Sequence, residues 1–125
     1  MNIKKQIAYW QNGSADDYET AKILIENKRY IHGLFFFHLS IEKIIKALVV
    51  KETNEIPPKS HDLFFLARKA NIELSEDKQL IIQILMKYQL EGRYPEYLPN
   101  APNQNLVFSY MHQTNELLKW FKEKL

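Results

Sequence analysis

Residues 90–105 (LEGRYPEYLPNAPNQN) concentrate side chains that suit the binding of an anion. Arg93 carries a planar guanidinium with a fixed set of donors for phosphate or carboxylate, and Tyr94 offers a face for stacking. Pro95 fixes the backbone just beyond them. We therefore predict that Arg93 and Tyr94 form one wall of an anion site. In the alternative interpretation, Arg93 pairs with a helix-borne acid such as Glu42, and Tyr94 caps the protein core.

A second polar group is the set Glu42, Lys43 and Lys46. Glu42 and Lys46 are four residues apart in the order that favours a helical ion pair, which on a surface is worth only about 0.3–0.5 kcal/mol. Both flank an apolar stripe, so they can border a groove and meet Arg93 there. The alternative is an ordinary solvated helix face.

His38 lies one helical turn before Glu42, a spacing that can place two metal ligands on one face. The other three histidines are His32, His61 and His112, and none is spaced as an obvious third ligand. The sequence therefore favours a packed, hydrogen-bonded histidine over a metal site. We expect His61 to form local hydrogen bonds and to pack between helices.

Several kinds of chemistry are excluded by composition. The chain has no cysteine, so disulfides, thiolate zinc sites and a cysteine nucleophile are ruled out. Its three glycines are isolated, which excludes a glycine-rich phosphate loop, and no serine lies in a Gly-x-Ser-x-Gly motif. We predict no cofactor, no metal and no catalytic residue. The net charge of +2 is small and its charges are interleaved, unlike the basic stripe of a non-specific DNA binder.

The length of 125 residues predicts one domain over residues 1–125. Apolar residues make up 46 % and charged residues 26 %, as in soluble globular proteins. No apolar run approaches the roughly 20 residues that span a bilayer. We expect a cytoplasmic protein that does not bind membranes.

Five segments repeat apolar residues at helical spacing. The first contains Ile3, Ile7, Trp10, Ser14, Tyr18, Ala21 and Ile25, with Gly13 as a weak point. The second contains Tyr30, Leu34, Phe37, Ile41, Ile44 and Leu48. The third contains Leu63, Leu66, Ala67 and Ala70, and the fourth Leu80, Ile81, Ile84, Leu85 and Tyr88. The fifth contains Val107, Tyr110, Met111, Thr114, Leu118, Phe121 and Leu125. The pattern predicts an all-α, up-down bundle of five helices, led by two long ones.

Polar residues at the segment ends predict where helices begin. We expect Ser60 to cap the third helix and Ser75 the fourth. Pro95 prevents the fourth helix from continuing, and Asn103 or Asn105 can cap the fifth. On this interpretation most of residues 90–105 connect two helices.

An ordered set of short motifs carries a family resemblance. The set is Trp10-x3-Ser14-x2-Asp17-x3-Ala21, Tyr30 through Phe37-His38, Glu42-Lys43-Ile44-Ile45-Lys46-Ala47-Leu48, Ser60-His61-Asp62-Leu63 and Arg93-Tyr94-Pro95. In this order, over nearly the whole chain, it resembles the HEPN family (higher eukaryotes and prokaryotes nucleotide-binding domains). The resemblance implies a small helical domain, commonly a homodimer and often encoded beside a minimal nucleotidyltransferase. It also extends to the helical, substrate-binding part of antibiotic nucleotidyltransferases.

Other branches of that family are metal-independent ribonucleases, in which an arginine is followed after four to six residues by a histidine. This sequence departs from that pattern. At the expected distance Arg93 is followed by Leu98, Pro99 and Asn100, none of which can transfer a proton. Arg29 is followed by histidines after two and eight residues, which is too early and too late.

Aromatic residues predict a contact between copies of the chain. Three consecutive phenylalanines, residues 35–37, cover about 200° of a helix, which is more than one packing face needs. With Tyr9, Trp10 and Trp120 they favour a hydrophobic homodimer interface.

The leading hypothesis is a non-catalytic module that binds a nucleotide or phosphate-bearing ligand. It would be the substrate-binding partner of a nucleotidyltransferase, in a pair that resembles a toxin–antitoxin system. Its candidate ligand-binding residues are Arg93, Tyr94, Glu42, Lys43, Lys46 and His38. One alternative is a ribonuclease with a displaced site, in which Arg93 acts on RNA with His38 or His61. The other is a structural subunit that only dimerises.

Overall fold

A computed structural model describes all 125 residues. It contains five α-helices and no strand: α1 (Ile3–Glu26), α2 (Tyr30–Thr53), α3 (Leu63–Lys69), α4 (Glu76–Met86) and α5 (Gln104–Lys122). One 3₁₀ turn, Pro95–Tyr97, lies between α4 and α5. The predicted all-α fold of five helices led by two long ones is therefore confirmed. None of the helices combines the length and the apolar character that crossing a membrane requires.

The first two helices form a tightly packed hairpin. α1 runs without a break through Gly13, so the glycine does not divide it. At the other end of the hairpin, Gly33 allows α2 to approach α1 closely. A Cβ at this position would overlap the Ile25 side chain and lie 3.3 Å from the Ala21 carbonyl oxygen. The close approach therefore requires glycine.

The second helix is the centre of the molecule, because it packs against α1, α3, α4 and α5. Apolar side chains from every side of α2 enter the core, and Phe37 is fully buried. Phe35 and Phe36 are only half-buried. A helix that is surrounded in this way needs a broader apolar surface than one stripe. This position accounts for Phe37, which lies in the core, and for Phe36, which packs against it.

The start of α3 differs from the prediction. Asp62, and not Ser60, is its cap: Asp62 Oδ1 accepts hydrogen bonds from the backbone N–H groups of Phe64 and Phe65, at 3.0 and 3.2 Å. The Ser60 hydroxyl instead accepts the N–H of Asp62 at 3.1 Å. Both residues favour such local bonds, so sequence alone did not separate a cap from the turn that precedes it.

The other helix starts agree better with the sequence. Ser75 caps α4 as predicted, and Asn103 is the one of the two candidate asparagines that caps α5. The predicted inner face of α4 was wrong at Leu80, which is 55 % exposed, whereas Ile82 is fully buried. The buried face of α4 therefore includes Ile82 and excludes Leu80.

Candidate functional site

Two polar contacts fix α1 against α2 beside the candidate site. The Ser14 hydroxyl donates to the Ser40 carbonyl at 2.7 Å, and the Ser40 hydroxyl donates to the Ser14 carbonyl at 2.8 Å. Next to them, Lys43 Nζ lies 2.7 Å from Asp17 Oδ2. Lys43, one of the predicted ligand-binding residues, is therefore paired with α1.

Glu42 is the centre of a buried charge cluster. It is 3 % exposed, and its Oε2 accepts a hydrogen bond from Lys46 Nζ at 3.0 Å. The ammonium of Lys46 also lies 5.2 Å from the centre of the Trp10 ring, on α1. Burial of both partners shows that the solvated-face alternative for this pair was wrong. In the protein interior, each charge depends on its partner far more than in a surface pair.

Two imidazoles approach the other oxygen of the same carboxylate. His61 Nδ1 lies 2.9 Å from Glu42 Oε1, and His38 Nδ1 lies 3.8 Å from it. Glu42 thus has three basic neighbours: Lys46, His61 and His38. Only His61 belongs to another part of the chain, the segment that precedes α3.

His38 is an uncharged, fully buried member of this cluster. Its Nε2 donates to the His61 carbonyl at 3.2 Å, which leaves Nδ1 as the unprotonated nitrogen, without a hydrogen-bond partner. Burial lowers the pKa of His38 from 6.5 to about 4, and the nearby Glu42 carboxylate only partly opposes this effect. Desolvation penalises the charged form of a buried imidazole. His38 therefore holds the backbone at His61 and remains neutral at physiological pH.

His61 links this cluster to the connection between α4 and α5. Its side chain is 43 % exposed, and its Nε2 lies 3.0 Å from Glu91 Oε2. Glu91 belongs to a turn at residues 90–93, which the bond from the Arg93 N–H to the Leu90 carbonyl closes at 3.1 Å. Gly92 has φ +80° in this turn, which is the conformation that a type II turn requires at its third residue. The turn presents Glu91 to His61.

Arg93 and Tyr94 lie on the surface directly after this turn. The guanidinium of Arg93 makes no ion pair or hydrogen bond within the chain. Tyr94 is 69 % exposed, and its ring meets only that of Tyr97, in an edge contact. The alternative in which Arg93 pairs with Glu42 and Tyr94 caps the core is therefore wrong.

The structure brings some of the predicted residues together and leaves others apart. His38, Glu42 and Lys46 form one buried cluster, whereas Lys43 faces Asp17, and Arg93 and Tyr94 have no polar contact with the cluster. The connection between the two groups is the contact of His61 with Glu91. Sequence reasoning did not include Glu91, and its only signal was its position two residues before Arg93.

The predicted ligand-binding residues do not come together anywhere else in the structure. No group of three or more histidine, aspartate or glutamate side chains is placed to share a metal ion. A cavity of about 470 Å³ lies between α4 and α5, beside Trp120, and none of the predicted ligand-binding residues lines it. The candidate site is thus defined by its polar contacts and not by a deep cavity.

Comparison with known proteins gives a single match. Neither the curated proteins nor the solved structures contain a match to this chain. The family model described as HEPN domain matches residues 7–125, which is nearly the whole chain. The motifs that carry the resemblance lie within this range, and they include the residues of the buried cluster and Arg93. The chain belongs to the HEPN domain family.

Proposed function

We propose that this protein is a non-catalytic cytoplasmic module that binds a nucleotide or another phosphate-bearing ligand at the surface formed by His61 and Arg93. The single observation that carries the proposal is the unpaired guanidinium of Arg93, held on a turn whose Glu91 contacts His61. Arg93 is two residues from Glu91, so their Cα atoms are within about 7 Å. Both His61 and Arg93 can therefore contact one anion.

The buried cluster would support such a site by orienting His61. Glu42 fixes Nδ1 of the ring, and the His38 side chain holds the backbone carbonyl of the same residue. A ligand at Nε2 then meets a donor that is already in place, which reduces the entropy lost on binding. Tyr94, exposed beside Arg93, offers a ring on which a nucleobase can stack.

Calorimetric titration with ATP and other nucleotides tests the proposal, with Arg93→Ala as the test variant and Arg68→Ala as the matched control. Arg68 is another exposed arginine without a partner, near the end of α3. A charge-assisted contact is worth about 1.5–3 kcal/mol, so we expect Arg93→Ala to weaken binding at least tenfold and Arg68→Ala to leave it unchanged. Absence of binding by every nucleotide would refute the proposal.

The proposal includes two partners. One is a nucleotidyltransferase on another chain, supported by the membership of the HEPN family, with which the module would form a pair that resembles a toxin–antitoxin system. The other is a second copy of this chain, supported by exposed apolar residues such as Tyr9, Leu106 and Phe108. Light scattering after size-exclusion chromatography tests the homodimer, which requires twice the chain mass of 14.9 kDa. A mass of one chain at all concentrations would refute it.

One observation favours a second candidate function, a ribonuclease with a displaced site. A buried carboxylate that fixes one nitrogen of an imidazole, while the other nitrogen meets only an exposed side chain, here Glu91, is similar to the arrangement of a general base. His61 and Arg93 would then act together on RNA. Incubation with RNA in EDTA separates the two functions: cleavage that both His61→Gln and Arg93→Ala abolish would support the ribonuclease.

A further inference from the structure

The contact between Glu91 and His61 joins two exposed side chains. The side chains of Glu91 and His61 are 62 % and 43 % exposed, and their 3.0 Å contact lies on the outer side of the ring, opposite the buried Glu42 carboxylate. His61 thus contacts a buried carboxylate through Nδ1 and an exposed carboxylate through Nε2. An exposed ion pair of this kind contributes only about 0–1 kcal/mol.

The His61 ring lies between two carboxylate oxygens. Nδ1 and Nε2 of His61 each face a carboxylate oxygen, at 2.9 and 3.0 Å. A neutral imidazole has one donor and one acceptor nitrogen, and its acceptor lone pair would repel a carboxylate. Each contact is a hydrogen bond only when its ring nitrogen carries a proton, so a ring protonated at both nitrogens fits the two carboxylates best.

Of the charged groups around His61, only two are carboxylates that face its ring, those of Glu42 and Glu91. Glu42 faces the Lys46 ammonium and the His61 imidazole, while His38 is neutral. On the side of α3, the Asp62 carboxylate accepts the N–H groups that begin the helix. Glu91 therefore supplies the only negative charge at His61 Nε2.

We propose that Glu91 is an internal competitor for the ligand: its carboxylate occupies the position at His61 Nε2 that a phosphate group takes on binding. This inference rests on the proposed function and adds to it a mechanism that regulates access. A phosphate dianion carries more charge than a carboxylate and can also contact Arg93, which makes no other ion pair. The ligand therefore displaces Glu91, and the free energy of the His61–Glu91 contact is subtracted from its binding.

Charge-removing variants of two neighbouring glutamates test this competition. Glu91→Gln weakens the competitor, and Glu96→Gln removes the same charge from the 3₁₀ turn, where Glu96 is exposed and makes no ion pair. The probes are ATP, measured by calorimetry, and inorganic sulfate, measured by the NMR shifts of the His61 ring. We expect Glu91→Gln to tighten binding about two- to fivefold relative to Glu96→Gln, as the loss of a surface ion pair implies.

A double variant isolates the role of the imidazole. In a His61→Gln background, the additional change Glu91→Gln should give no gain over Glu96→Gln. Persistence of the gain without His61 would overturn the inference.

The outcomes also separate this inference from the proposed function. If the wild type binds ATP through Arg93 and the two glutamine variants bind equally, only the competition is refuted. If the wild type binds ATP through Arg93 and Glu91→Gln binds it more tightly than Glu96→Gln does, both the anion site and the competition are supported. If neither protein binds either probe, both the competition and the anion site are refuted.

Discussion

The replacement His38→Gln tests whether a neutral, buried imidazole makes the protein sensitive to acid. The amide nitrogen of glutamine takes nearly the position of the imidazole Nε2, so it can still donate to the His61 carbonyl, the bond that His38 makes at 3.2 Å. The variant therefore keeps the hydrogen-bond donor to the His61 carbonyl and removes the imidazole, the group that can take up a proton. Near neutral pH we expect a loss of about 1–2 kcal/mol in the free energy of unfolding, since glutamine fits the site less well.

The sign of the pH dependence follows from the two states of His38. In the unfolded chain the imidazole takes up a proton near pH 6.5, whereas in the folded protein burial lowers the pKa of His38 to about 4. Protons therefore bind more readily to the unfolded state. The stability that is present above pH 6.5 is lost progressively as the pH falls toward about 4.

The magnitude is large enough to measure without reaching strongly acidic conditions. Each unit of pKa difference corresponds to 1.36 kcal/mol, so acidification from about pH 7.5 to 5 costs the wild type about 2 kcal/mol through His38. The glutamine variant does not lose this unfolding free energy, because an amide does not take up a proton in this pH range. The difference in unfolding free energy between wild type and His38→Gln should therefore shrink by about 2 kcal/mol over this range and can change sign.

Urea denaturation followed by circular dichroism at the two pH values measures this difference. His32→Gln is the matched control, because His32 lies on the same helix but is exposed, so its replacement changes a histidine without changing the core. A difference between wild type and His38→Gln that stays constant within about 0.5 kcal/mol would refute the neutral, buried assignment of His38.

Two further predictions concern single contacts. Glu42→Gln leaves the ammonium of Lys46 buried without a countercharge, so it should cost about 3–5 kcal/mol of unfolding free energy in urea, against less than 0.5 kcal/mol for the exposed Glu52→Gln on the same helix. Equal effects of the two variants would show that the buried pair does not depend on its carboxylate. Asp62→Ala should cost about 1 kcal/mol through loss of the α3 cap, and Ser60→Ala should cost less; the reverse order would restore Ser60 as the cap.

The fold could be predicted because each helix needs an apolar face to bury. The stripe from Leu34 to Leu48 on α2 is almost wholly buried, as the helical spacing indicated. Errors arose where the spacing allows more than one solution. Leu80 and Ile82 are both apolar and two residues apart on α4, so the sequence did not show which of them faces the core.

The site was harder to predict, because its contacts are made between distant parts of the chain. The spacing of Glu42 and Lys46 is the same for a surface pair and a buried one, and only the packing of α2 against its neighbours decides between them. His61 and Glu91 have α3 and α4 between them in the sequence. No local pattern records a contact of this kind.

The reciprocal hydrogen bonds between Ser14 and Ser40 have a mechanical consequence. A slip of α1 along α2, even by one residue, would separate both hydroxyls from their carbonyl partners inside the core. The hairpin therefore acts as a rigid frame with a single register. Because Glu42 and Lys46 belong to this frame, adaptation to the ligand that we propose would fall on the connection between α4 and α5, which is mostly exposed.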